Sequence, residues 1–552
     1  MKKTASLIKN EFIKEFGKKS TAVILLLALA VGIMLPILSS RNHAADDDRS
    51  YLESQISWND QSIAEIKQES GSKRLPEQRF YEIDNQVLQL QVDENISYSD
   101  YRTNLLDYYR SALLEMAGLQ LYRERGEHYS LSDIASYLTV PDGIEEMDAA
   151  AIDQRLALLN TQAERYRQVV AQNSYGTYTQ IMLEAATEQT NELQKQVDAQ
   201  QKLVQADAQD LAAAEALSSL KTQLAQQTEL VKLYQYRLDH DIGYGEDDYK
   251  NNALQELQEQ LGERYAPMLD EGDFIEAQKG GQFGRNMTYA QYQESYQDRQ
   301  KALTERSAVL WHSLEKNIPL FESSNKDPRS AAEGLLGSVA IAVIVVVVFA
   351  GSSVSREFSS GSIRLLLTRP VRRYKVYTAK WVTCMLLGLG SYLLMAIGTV
   401  VTAGIKLGFG GFGVPVLQYR DGAVEQMGFF SYLLPRMGYV CIAIIFIGTI
   451  AFFFSAVAKN TALAVALPTA GYFGSPLALQ LAIMFGFNWV AYTPIAYMDP
   501  SHLVRNDGFL EQLREMSGVT LSAGYGAAML LGIAALFFAA GMWVFCRRDI
   551  TN

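Results

Sequence analysis

At 552 residues the chain is too long for one compact core, although a net charge of −12 and a charged fraction of 20% would suit a soluble protein. Its apolar residues are concentrated toward the two ends, which excludes a single soluble domain. Cys384, Cys441 and Cys546 all fall in or beside apolar runs, so the polar middle carries no disulfide framework, and His43, His128 and His240 are too scattered for metal-ligand spacing.

Residues 1–20 place Lys2, Lys3, Lys9, Lys14, Lys18 and Lys19 among apolar residues and read as an amphipathic helix on the cytoplasmic face. Thr21 to Leu38 follows without a charge, and at about 1.5 Å per residue it just crosses a bilayer core as span one, 21–38. A cleaved leader is the alternative, given the basic start and the small residues Ser39, Ser40, Ala44 and Ala45. The run exceeds the ~7 to 15 residues of a leader core and no A-x-A site follows closely, so an anchor is expected.

Residues 41–330 hold 28 Lys plus Arg against 50 Asp plus Glu, a net of −22, and the remainder of the chain carries +10. So acidic a segment argues against nucleic acid as a partner. Neither Gly nor Pro occurs between Gly176 and Gly243, where Gln, Ala, Leu and Glu predominate. Leu217, Leu220, Leu224, Val231, Tyr234 and Leu238 step by three and four with Gln227 taking one slot, and Leu193, Val197, Val204, Leu211 and Ala214 are similar. The spacing predicts a coiled-coil stretch over 177–242, as a hairpin or a rod, with a bend in the Ala-rich 207–216; one long packing helix is the alternative. Tyr51 to Ile66, Tyr101 to Leu121, Ile152 to Val170 and Leu254 to Met268 also show helical spacing, and Pro141-Asp142-Gly143 and Lys279 to Phe283 read as turns.

Five more spans are expected: 331–354, 381–405, 437–458, 461–485 and 517–546. Pro468, Gly471, Gly474 and Pro476 interrupt the fifth, and the piece after it, within 486–516, reads as an outer loop with a re-entrant segment. With the N-terminus cytoplasmic, the inner segments hold 16 Lys or Arg and the two short outer loops hold 5, Lys406, Arg420, Arg436, Arg505 and Arg514. Both termini are therefore expected in the cytoplasm and 41–330 outside, in a multi-pass protein of the cell membrane, and the Met-Lys-Lys start and cysteine-free exterior suit a bacterium. The expected fold class is all-α, a six-span helical bundle with a large extracytoplasmic, partly coiled-coil helical domain.

Between the second and third spans runs SREFSSGSIRLLLTRPVRRYKVYTAKW, Ser355 to Trp381. Its mixture of Arg, Lys and Leu suits a helix lying along the membrane surface. Glu357, Gly361, the Leu run with Arg364 ahead of it, Arg369-Pro370, Arg373 and Lys380 also resemble the pattern of ABC type-2 exporter permeases. That resemblance covers about 25 residues in detail and the six-span arrangement more loosely. It implies that 355–380 couples the bundle to a separate ABC ATPase subunit, through Glu357, Gly361, Arg364, Arg369, Pro370, Arg373 and Lys380, in a homo- or heterodimer of permeases bathed in membrane lipid. The large insertion between spans one and two belongs to only some branches of the family.

No G-x-x-x-x-G-K-[ST] phosphate loop occurs, so the chain is expected to be no enzyme and to hold no cofactor, ATP being bound by the partner subunit. The later spans carry no acidic residue in their cores for a proton relay. A permease of an exporter for an amphipathic peptide, lipid or antibiotic is the expected function. An envelope scaffold or secretion accessory protein that docks partners through its coiled coil is the alternative, distinguished by whether an ATPase co-purifies.

Overall fold

The computed structural model describes every residue except 1, 39–44, 69–73, 99, 125–129, 208–209, 246–247, 324–325, 360–371, 459, 506–507 and 548–552. The chain opens with α1 (Lys2–Phe16) and α2 (Lys19–Leu38) and then enters the first of two units, Asn42–Gly245. That unit consists of α3 (Ala45–Gln68), α4 (Leu75–Asp93), α5 (Thr103–Glu124), α6 (Leu131–Ala135), α7 (Ala149–Gln172), α8 (Tyr175–Ala206) and α9 (Leu211–Asp239). Leu105, Leu119 and Val170 are fully buried at its centre, with Ile152, Leu159, Tyr178 and Ile181 around them. Arg102 is buried at the head of α5, paired with Asp100 at 2.7 Å, and donates from Nη1 to the Val170 carbonyl at 3.3 Å, which fastens α5 to the end of α7.

Helices α8 and α9 form an antiparallel hairpin in place of one continuous rod. The chain leaves the helix at Asp207, and Asp210 restarts it by accepting from the Ala213 N–H at 3.0 Å, an N-cap that satisfies one of the orphan donors of the new helix. Positions 213, 217, 220, 224, 227, 231, 234 and 238 of α9 are all wholly or partly buried, as are 186, 190, 193, 197, 200 and 204 of α8. Both helices thus turn a three-four series toward each other. Toward the tip the cover thins, and Leu203 and Leu211 are exposed. Gln227 occupies one seam position, and its Oε1 is buried without a hydrogen-bond partner among the described residues.

The second unit joins Met1–Arg41 to Glu246–Asn552. After α2 it continues with α10 (Tyr249–Arg264), α11 (Glu271–Lys279), α12 (Tyr289–Lys316), α13 (Pro328–Glu333), α14 (Val339–Ser353), α15 (Ser355–Ser359) and α16 (Arg373–Leu407). Strands β1 (Val416–Arg420) and β2 (Ala423–Met427) come next, followed by α17 (Phe429–Ala458), α18 (Thr461–Met484), α19 (Ser501–Val504), α20 (Phe509–Ser517) and α21 (Ala523–Arg547). Among the described residues, six helical stretches are long and apolar enough to cross a membrane: α2, α14 continued by α15, α16, α17, α18 and α21.

Several boundaries differ from expectation for local reasons. The segment 331–354 is divided into the end of α13, a 3-10 turn at Gly334–Gly337 and α14. The last span begins at Ala523, because Gly518 at φ 67° closes α20 in the left-handed region. The chain is mostly helical, as expected, with one unforeseen addition: β1 and β2 pair antiparallel from Val416↔Met427 to Arg420↔Ala423. Asp421 (φ 51°) and Gly422 (φ 86°) form the tight loop, both left-handed, as an Asp-Gly hairpin turn requires.

Helix α14 is the hub of the bundle. Val339, Ala342, Val343, Val346, Val347 and Ala350 have no exposure at all. Neighbouring helices come close because they present glycine: a Cβ on Gly388 of α16 or Gly448 of α17 would lie 2.5 or 2.7 Å from Val346 Cγ2. Helix α2 meets α16 in the same way, since a Cβ on Gly32 would lie 2.3 Å from the Met395 carbonyl oxygen, and Thr399 Oγ1 donates to the Gly32 carbonyl at 3.0 Å. Between membrane helices, where lipid offers no hydrophobic drive to associate, such small-residue contacts and interhelical hydrogen bonds supply the cohesion.

At the end of the bundle where α16 finishes, Arg329 is wholly buried with every donor engaged. Its Nε and Nη2 bind Asp327 at 3.0 and 2.6 Å, Nη2 reaches the Pro319 carbonyl at 2.9 Å, and Nη1 reaches the Val414 and Pro415 carbonyls at 3.1 and 3.0 Å. One guanidinium therefore joins α13, the segment before it and the entry to β1.

Gln227→Leu in the hairpin seam removes a buried unsatisfied acceptor and restores an apolar seam position. We expect it to stabilise the α8–α9 hairpin by about 1 kcal/mol, read as a higher unfolding midpoint of that unit; a lower midpoint would mean that Gln227 sets the register of the pair.

Candidate functional site

At the opposite end of the bundle, four charges from three helices meet. Helix α1 is amphipathic, and residues 7, 8, 11, 12 and 15 form its half-buried stripe. Phe12 packs against Val345 and Phe349 of α14 and Leu387 of α16. This stacking places Glu11, on the inward stripe, and Lys14, one turn on, above the start of α16.

Helix α16 is 35 residues long, roughly 52 Å, against a bilayer core of about 30 Å. Its first turns therefore extend past the apolar layer, and Lys380 lies near that boundary. The lysine is 2% exposed. Its Nζ donates to Glu357 Oε1 at 2.7 Å and to Glu11 Oε2 at 2.8 Å, and Lys14 also donates to Glu357 Oε1. The four side chains sum to zero charge. Lys14 stays half exposed, but Lys380 and Glu357 are held out of water, which is possible only because each faces an opposite charge. Glu357 Oε2 is buried without a hydrogen-bond partner among the described residues.

Glu357 is held in place by a break in its own span. The helix turns at Val354, and the freed Val354 and Ser355 N–H groups both donate to Ser455 Oγ of α17, at 3.1 and 2.9 Å. Ser355 Oγ donates to the Gly351 carbonyl at 2.7 Å and lies 2.8 Å from Thr461 Oγ1 of α18. The joint between α14 and α15 is thereby fixed to α17 and α18, and α15 carries Glu357 across to α16 and α1. On the other flank Arg373 Nη1 donates to the Cys546 carbonyl of α21 at 3.3 Å, and Trp381 Nε1 donates to Thr449 Oγ1 of α17 at 3.0 Å.

Of the residues singled out from the sequence, Glu357 and Lys380 are in direct contact, whereas Arg373, at the start of α16, reaches the Cys546 carbonyl of α21 instead. Gly361, Arg364, Arg369 and Pro370 fall outside the described residues. Glu11 and Lys14 are the partners that sequence reasoning missed. The available signal was weak: Glu11 and Glu15 both fall on the inward stripe of a helix whose other charges are all Lys. Among the described residues no group of three or more His, Cys, Asp or Glu could hold a metal ion.

The cluster ties three helices together: a displacement of α15 or of α1 must either carry Lys380 and α16 with it or cost the buried ammonium one of its two carboxylate partners.

The family described as "ABC-2 family transporter protein" matches residues 138–550. Two proteins of Bacillus subtilis (strain 168) are similar over part of their length. The uncharacterized protein YhcI is 26% identical over 211 residues, 38% of this chain and 64% of YhcI. The uncharacterized membrane protein YdbK is 27% identical over 207 residues, 37% of this chain and 76% of YdbK. The matched part is thus a little under two thirds of YhcI.

Lys380→Met removes the partner of Glu11 and leaves buried Glu357 with Lys14 alone, and it should destabilise the bundle by roughly 3 kcal/mol, the lower end of the cost of breaking a buried pair by removing one partner. A double-mutant cycle with Glu357→Gln should show a coupling of at least about 1 kcal/mol by denaturant unfolding in detergent; additive effects would mean that the two charges act independently.

Proposed function

The chain belongs to the ABC-2 transporter family, and on that premise we propose that it is the membrane-spanning permease of an exporter driven by a separate ABC ATPase subunit. Permeases of this family work with an ABC ATPase partner in general. The observation that carries the proposal is the joint built around Lys380, because it gives force applied at 355–373 and at α1 a rigid route into α14 and α16.

Within this reading both termini and the ion-paired joint face the cytoplasm. The excess of Lys and Arg in the segments at that end, 16 against 5, supports the orientation. The partner ATPase docks on 355–373, a stretch rich in Arg and Leu that includes Arg364, Arg369 and Arg372. Closure of the ATPase dimer moves α15, and the joint passes the movement to α1 and α16. Glu357 Oε2, buried and without a hydrogen-bond partner among the described residues, is an acceptor available for a contact made in another state of the cycle. The unit Asn42–Gly245, acidic and inserted between the first two spans, stands outside the membrane, with the α8–α9 hairpin as a coiled-coil docking element. Two permease chains complete the assembly, and the apolar walls of the bundle suit an amphipathic cargo.

The test uses Arg364→Glu and Arg369→Glu together, charges that no contact described above depends on. Affinity capture of the solubilised wild-type chain from native membranes should bring down an ATPase subunit in stoichiometric amount, and the double variant should lose at least about 90% of it while remaining monodisperse. Capture of no ATPase by wild type would remove the exporter reading, and equal capture by both would move the docking surface elsewhere.

A further inference from the structure

The end of α18 at Met484 carries a second feature, unrelated to the charged joint. A cavity of about 350 Å³ lies between the loop joining α11 to α12 and this helix end. Phe283 and Arg285 line it from the loop, and Ile483, Met484 and Phe485 line it from the helix side. The loop is held there by Asn286, whose Nδ2 donates to the Gly486 carbonyl at 3.1 Å. Gly486 permits that approach, having φ 79° and no room for a side chain, since a Cβ would fall 2.1 Å from Asn286 Nδ2.

Two properties of this place point to a ligand that is apolar at one end and anionic at the other. Arg285 is exposed and makes no ion pair among the described residues. From the cavity, Met484, Leu481, Leu477 and Phe473 continue along one face of α18 at intervals of three and four, all of them exposed. Measured along the helix, Phe473 to Met484 covers about 16 Å, close to half of the roughly 30 Å bilayer core. The stripe is as long as one leaflet is deep, and the cation stands at its water-facing end. Phe487, Trp489 and Tyr492, all exposed just beyond Phe485, give the aromatic surroundings found at the headgroup level.

We propose that this cavity and stripe bind one anionic phospholipid of the adjacent leaflet, the phosphate on Arg285 and an acyl chain along Phe473, Leu477 and Leu481. A guanidinium matches two phosphate oxygens in a forked geometry, and an apolar chain lying on exposed side chains removes none of the bundle's own packing. The site depends on the bundle crossing a membrane and stands whether or not the chain is driven by an ATPase. Under the orientation proposed above, the leaflet is the outer one.

Native mass spectrometry of the full chain, with three probes, tests it: phosphatidylglycerol, diacylglycerol with the same chains, and inorganic phosphate. One phosphatidylglycerol should be retained by wild type, with at least a fivefold loss of affinity in Arg285→Gln, while diacylglycerol and inorganic phosphate bind at least tenfold more weakly. Arg285 is exposed, so its replacement leaves the fold intact, and Phe283→Ala should weaken the same lipid independently. Equal retention of diacylglycerol, tight binding of phosphate alone, or unchanged lipid binding in both variants would overturn the proposal. So would an efficient disulfide between two copies of Leu477→Cys in membranes, which would show that a second copy covers this face.

Discussion

A lysine ammonium held out of water at the foot of a membrane span is the constraint on which the functional end of this molecule depends. Lys380 can remain charged there only while Glu357 and Glu11 stay within hydrogen-bond distance, and those carboxylates belong to two other helices. The requirement fixes where α1 lies, how far α15 swings from α14, and how α16 begins. Ser455 completes the arrangement by taking the two backbone N–H groups released at the break between α14 and α15. An ordinary kink would leave those donors for a bilayer that has nothing to offer them.

The polar contacts described in the bundle fall largely into two layers, one at each end. The charged joint and the Ser455 knot hold one end, and the five-bond Arg329 clamp holds the other. Between them the helices meet mainly through glycine and valine, as at Gly388, Gly448 and Val346. Close packing of this kind favours discrete arrangements over gradual deformation, so an input at one end is passed on as a rearrangement of whole helices.

How far the fold could be read from the sequence depended on the length of the signal. Six apolar runs separated by Lys and Arg stand out by composition, and the heptad-like series from Leu217 to Leu238 lies along the seam of a helical pair. The break at 207–210 was visible only as a region of Ala, Asp and Gln, because helix propensity alone cannot say whether a chain continues or folds back; the cap at Asp210 decides it. The β-hairpin was legible and was overlooked: an Asp-Gly pair between alternating residues is a strong local signal, but it lay in a chain dominated by helical periodicity. Within the site, Glu357 and Lys380 were reachable from the motif. Glu11 and Lys14 were not, since a pairing across more than 340 residues leaves no local pattern.

The central claim is that the Lys380 joint passes movement from the partner-facing segment into the spans. Hydrogen–deuterium exchange of the permease with its co-purified ATPase, with and without a trapped nucleotide, tests it most directly. The account predicts that in the wild type the nucleotide changes protection in α1, α15 and the first turns of α16 together, and that in Lys380→Met the change no longer reaches α16. A nucleotide-dependent change in α16 that persists undiminished in Lys380→Met would contradict it.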